Sequence, residues 1–175
     1  MAFLDVATEL GRFSVMLRPD AAPVTCEYFA SLARNGTFRD GSIFRIVSTS
    51  RHAGVEANPI DVVQVGTAAG MDEQRTRIQH EHTALTSLRH ERWVVSAARF
   101  EPGEVYGSFF VCLQREPALD FGGGRHIDGY GFAAFGSVVS GHEVIERAHF
   151  RAEEDTCLTT RIAVTEILYR GGGQP

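Results

Sequence analysis

Residues 132–150 read FAAFGSVVSGHEVIERAHF. The first nine form an apolar run of strand type, Gly141 interrupts it, and HEVIERAHF (142–150) reads as a short helix. Downstream, TTRIAVTEILYR (159–170) alternates as a closing strand with Ile162, Val164 and Ile167 inward. Upstream, the loop EPALDFGGGRHIDGYG (116–131) is preceded by two apolar strands, RWVVSAARF (92–100) and SFFVCLQ (108–114), parted by the turn-rich EPGEVYG (101–107). Phe109 and Phe110 must face opposite sides of their strand. One of them therefore lies outside whatever core the strand builds.

The N-terminal half continues the pattern. LGRFSVML (10–17) sets Phe13, Val15 and Leu17 against Arg12, Ser14 and Met16, a strand alternation. PVTCEYFASLAR (23–34) is a helix with Pro23 in its first turn, Cys26, Phe29, Ala30 and Ala33 on one face, and Asn35-Gly36 as its stop. Strands follow at 42–47 and in IDVVQVG (60–66), with the polar STSRHAGVEANP (48–59) as a loop between them. Residues 67–92 are polar and irregular, with strand character near TALTSL (83–88). Many short strands, glycine-rich turns, two helices and no βαβ alternation predict a mainly β chain whose sheet closes into an antiparallel barrel capped by two α-helices. One domain is expected over residues 1–170, with 171–175 a flexible tail.

Composition narrows the function. The 175 residues carry a net charge of −5, which argues against a nucleic-acid surface. All seventeen basic residues are arginine, so lysine-nucleophile and Schiff-base chemistry are excluded. The odd, widely spaced Cys26, Cys112 and Cys157 read as buried thiols of a reducing compartment. Neither a signal peptide nor a membrane-spanning run is visible, and a cytoplasmic protein is expected.

No GxSxG, HExxH, P-loop or Rossmann fingerprint is present. His80-Glu81-His82 could present two imidazoles on one face of an extended segment, but no further ligands stand at telling spacing, and neither metal nor cofactor is expected. What remains is an aromatic and apolar set (Phe44, Phe100, Phe109, Phe110, Leu119, Phe132 and Phe135) beside two polar candidates, Arg45 and Gln64. Arg45 is flanked by apolar residues in DGSIFRIV (40–47), a costly place for a guanidinium unless something satisfies it.

These blocks together resemble the cyclophilins, the peptidyl-prolyl cis–trans isomerases. The likeness runs through LGRFSVMLRPDAAPVTCEYFASLARNGTFRDGSIFRIV, VVQVG, VVSAARF, GSFFVCL and LDFGGGRHIDGYGFAAFGSVVSGHEVI, the last being the most specific and its glycine-rich insertion similar to a bacterial branch. The resemblance implies an eight-stranded antiparallel barrel, a monomer, and action on proline-containing peptides or unfolded protein clients. The family's Phe-His-Arg strand is represented by IFRIV. With the arginine as anchor, Arg45 is catalytic, Phe44 stands at the histidine's place and Ile43 at the phenylalanine's. With Gly41-Ser42 as anchor, Arg45 takes the histidine's place and Ile46 the arginine's. The flanking Ile46-Val47 favours the first. The resemblance further implies substrate contacts from Gln64, from Ala98 and Arg99 at an Ala-Asn pair, from the pocket residues Phe110 and Leu119, and from Val62 in place of a methionine. Ser108 stands where a second glutamine is usual, and Phe132 where a histidine is usual. Those departures also leave open a catalytically weak peptide-binding or chaperone module.

Overall fold

A computed structural model describes residues 1–54 and 58–171 of the chain. Strand β2 (Gly11–Leu17) buries Phe13, Val15 and Leu17 as its alternation requires. It pairs with β1 (Ala2–Thr8), a strand not foreseen from the sequence because Phe3 and Ala7 on its outer face blur the alternation of Leu4 and Val6. The ring then runs β4 (Val62–Gly66), β3 (Ser42–Val47), β9 (Cys157–Gly171), β1, β2, β8 (Ala133–Ser140), β6 (Val94–Arg99) and β7 (Glu104–Cys112), every pairing antiparallel. Pairing of β4 with β7 closes these eight strands into a barrel and leaves none of them an open edge. The two-residue β5 (Thr76–Arg77) lies on the start of β7.

Helix α1 (Pro23–Arg34) docks through Phe29, whose ring stacks on Phe135 at 4.5 Å and meets Phe109 edge-on at 5.7 Å. The turns α2 (Thr49–His52) and α3 (Thr83–Thr86) precede α4 (His142–His149), which buries Val144, Ile145 and Ala148. Gly141 makes the handover from β8 to α4 possible. Its φ is +76°, and a Cβ there would sit 2.2 Å from the carbonyl oxygen of Arg12.

Three expectations change. The strand character at 83–88 is instead the single turn of α3. With Ala84 and Leu85 facing solvent and no strand alongside, the backbone satisfies itself through Thr86 N–H to His82 O (3.2 Å) and Ser87 N–H to Thr83 O (2.9 Å). The loop after β3 begins with α2. Cys157 is exposed, because it opens β9 on the outward side of the alternation. Cys26 and Cys112 are buried, and burial pushes the Cys26 thiol up to about 12. Within the expected tail, Gly171 still pairs with Ala2, and 172–175 lie outside the described residues. No described helix is long and apolar enough to cross a membrane.

His80-Glu81-His82 has a structural use. Helix α1 begins at Ala22-Pro23 without a side-chain cap of its own. Glu81, itself buried, accepts from the backbone N–H of Val24 (3.1 Å), the N–H of Thr25 (2.8 Å) and the Thr25 hydroxyl (2.7 Å). A carboxylate at a helix N-terminus is favourable both as an acceptor and against the macrodipole. Glu81→Ala strands these donors, and a loss of about 1–3 kcal/mol is expected in urea unfolding. The flanking imidazoles are half-buried: His80 Nε2 lies 3.2 Å from the Tyr130 carbonyl oxygen, and His82 stacks on Phe121 at 4.4 Å. Among the described residues, no three His, Cys, Asp or Glu side chains come together in a manner suited to a metal ion.

Candidate active site

The apolar residues form two clusters. One fills the barrel with Phe13, Ile43, Ile46, Val63, Val65, Phe109 and Phe135 among others. The second lies on the outer face of β4, β6 and β7 and contains Phe44, Val62, Ala98, Tyr106, Phe110 and Leu119. Phe109 is thus the inward phenylalanine and Phe110 the outward one, separated by the period of two.

Arg45 reaches the outer face through a break in that period. Strict alternation would turn Arg45 inward together with Ile43. In β3, however, Ile43 pairs with Val65 and Arg45 with Gln64, so Phe44 is the extra residue of a bulge. Ile43 and Ile46 both enter the core, while Phe44 and Arg45 are both excluded from it. The guanidinium donates from Nε to Thr156 Oγ1 (3.2 Å) and from Nη1 to Gln64 Oε1 (3.4 Å). Ile46 is fully buried in the barrel core.

Arg45 borders a groove of about 280 Å³. Gln64 and Val62 come from β4, Phe110 stands opposite Gln64 on β7, and Ala98 and Arg99 come from β6. Leu119 and Phe132 form the far wall, joined by the Phe132 N–H to Leu119 O bond (2.9 Å), with Phe132 edge-on to Phe110 at 5.5 Å. Eight of the ten residues expected from the sequence therefore share this groove.

Phe44 and Ser108 do not line it. The Phe44 ring packs against Gly66, where a Cβ would come within 2.7 Å of it, and under the Arg161 guanidinium at 5.8 Å. Ser108 is wholly buried behind the wall, because its side chain is too short to pass the groove surface. The Arg99 side chain is engaged with the insertion loop, while its backbone lies at the groove. It donates to both carboxylate oxygens of Asp128 at 2.8 Å and to Gly131 O at 2.7 Å, fastening the insertion loop over Phe132. Burial raises the cost of charge on Asp128, but the Arg99 bonds outweigh it and hold its carboxyl below the usual aspartate range.

The sequence reading missed Tyr106, Met71, Ile60, Arg125 and His126, all on the groove wall. Tyr106 was legible in principle, since the alternation that turns Phe110 outward does the same for positions 108 and 106. Arg125 and His126 ride a loop with no period to read. A larger cavity of about 660 Å³ between α2, β4, the end of β7 and α4 holds none of the expected residues. Its buried carboxylate, Asp61, already accepts from Thr49 and Gln114.

A Ser96–His90–Asp120 chain has the composition of a hydrolase triad, with contacts of 2.9 and 2.8 Å. Ser96 and His90 are sealed from solvent behind Phe110, so no substrate reaches the hydroxyl. The chain braces the Leu119–Asp120 wall instead.

The family model for cyclophilin type peptidyl-prolyl cis-trans isomerases matches residues 3–167. The chain belongs to the cyclophilin family. A peptidyl-prolyl cis-trans isomerase of Streptomyces antibioticus is 30% identical over 148 residues, 83% of this chain and 82% of that protein. A peptidyl-prolyl cis-trans isomerase-like protein of Aspergillus oryzae is 32% identical over 82% of this chain and 80% of its own length. A crystal structure of a Cryptosporidium parvum cyclophilin, determined in the presence of the dipeptide Ala-Pro, covers 97% of this chain and 99% of its own with a TM-score of 0.75 at 15% identity, and so shares its fold. Family membership favours an isomerase over a cyclophilin-like module without turnover.

Proposed function

We propose that the chain accelerates rotation about X-Pro peptide bonds in proline-containing peptides and unfolded protein clients, with Arg45 as the catalytic group. The supporting observation is one groove that places a guanidinium and the Gln64 amide beside an apolar wall of Phe110, Leu119 and Phe132. The planar amide resists rotation by a barrier of roughly 18–20 kcal/mol. At the twisted transition state the prolyl nitrogen becomes pyramidal and gains a lone pair. Arg45 donates a hydrogen bond to that lone pair, an interaction with no counterpart in the planar ground state. No bond to carbon is made or broken, so neither nucleophile nor metal is called for. Val62 and the aromatic wall hold the proline ring while the preceding carbonyl turns, and the backbone at Ala98 and Arg99 holds the peptide. We place the protein in the cytoplasm as a monomer without a nucleic-acid or membrane partner, in keeping with its net charge of −5 and family.

The test is a protease-coupled assay on a short proline peptide, with binding of the same peptide measured in parallel. A rate well above the uncatalysed exchange, which takes tens to hundreds of seconds, is the expected result. Binding without acceleration would replace catalysis by simple peptide capture.

A further inference from the structure

The Gln64 amide is held by two hydroxyls, and the direction in which it is held bears on Arg45. Ser108 has a single hydroxyl proton and donates it to the Val65 carbonyl at 2.9 Å. Toward Gln64, also 2.9 Å away, it offers only lone pairs. The Gln64 atom facing it must therefore be the nitrogen, because a carbonyl oxygen there would meet an oxygen with no proton between them. The second proton of that nitrogen goes to the phenol oxygen of Tyr106 at 2.8 Å. With both protons committed, the carbonyl oxygen Oε1 is left to face Nη1 of Arg45. Gln64, Tyr106 and Ser108 are all buried, so a flipped amide would strand polar groups and set its protons against those of the guanidinium.

We infer that Tyr106 and Ser108 are positioning residues, which fix the Gln64 carbonyl toward Arg45 and thereby aim the guanidinium across the groove. This rests on the isomerase reading given above. Neither hydroxyl needs to touch the reacting bond. Their effect passes through Gln64 to Arg45, and it concerns the transition state rather than the bound peptide.

Tyr106→Phe removes the acceptor and keeps the ring. It is expected to lower kcat/KM roughly three- to tenfold, through kcat with KM little changed. Ser108→Ala should act in the same direction. In the Arg45→Ala background, Tyr106→Phe should have no further effect, since its route is already cut. In ¹⁵N spectra the Gln64 side-chain NH₂ signals, distinct and slow to exchange in the wild type, should move and exchange faster in Tyr106→Phe. The proposal is overturned by an unchanged kcat/KM, by a rise in KM alone, which would mark Tyr106 as a substrate contact, or by an equal loss in the Arg45→Ala background. A silent Arg45→Ala in an active wild type would also overturn it, since the route runs through Arg45; an inactive wild type would instead refute the isomerase reading. The NH₂ signals then decide separately whether the amide is held.

Discussion

Replacing Arg45 by alanine is expected to lower kcat/KM on a proline peptide at least roughly tenfold. The expected loss follows from how little else in the groove can act. A thousand-fold acceleration corresponds to only about 4 kcal/mol, at about 1.4 kcal/mol per tenfold. One charge-assisted hydrogen bond to the pyramidal nitrogen supplies much of that in a groove walled by Phe110 and Phe132. Arg45→Lys should recover little, because an ammonium lacks the planar fork through which Arg45 holds Gln64 and Thr156 at once in a fixed orientation. Arg45 is half-buried and lies outside the barrel core, so circular dichroism and the thermal midpoint should stay close to the wild type. Wild-type rates in Arg45→Ala would remove this residue from the mechanism.

Replacing Asp128 by alanine should give the largest stability loss at the groove. The Arg99 side chain is 1% exposed and Asp128 is its bidentate partner. Without that carboxylate a buried guanidinium keeps only the carbonyls of Gly131 and Phe100. Breaking such a pair costs about 3–5 kcal/mol, and the partial exposure of Asp128 points to the lower end. For a chain of this size that corresponds to a fall of roughly 6–12 °C in Tm. The loop carrying Arg125 and His126 should loosen with it and raise KM. The same pair makes stability pH-dependent. The folded-state pKa of Asp128 lies below its ordinary value of 3.8, so this contribution is fully present above that value and is lost as pH falls through the depressed one. Asp128→Ala should remove that part of the acid sensitivity. An unchanged urea midpoint at pH 7 would count against the pair as a fastening.

Much of this was open to inspection in the sequence. Helix α1 falls at Pro23–Arg34 and β3 at Ser42–Val47, as expected from Pro23, Asn35-Gly36 and the apolar runs. The opposition of Phe109 and Phe110 follows from the pleat alone, and it correctly places an aromatic outside the core. What local pattern could not give was β1, whose outer face mixes Asp5 with the apolar Phe3 and Ala7, or α3, which has no neighbouring strand to hold it extended. Phe44 and Ser108 stand at the expected places along their strands, yet depth below the groove surface is not a property of position in the chain.

Composition and alternation thus determined a closed antiparallel barrel with one of Phe109 and Phe110 outside its core, and the family resemblance added Gln64, Phe110 and Leu119 as partners in one site. Tertiary structure decided where Arg45 points. Its own strand pattern would send it inward beside Ile43, and only pairing against Val65 and Gln64 forces the extra residue at Phe44 that turns it out. A bulge is a mismatch between two strands. A single strand read by itself carries no record of the partner against which it will be one residue too long.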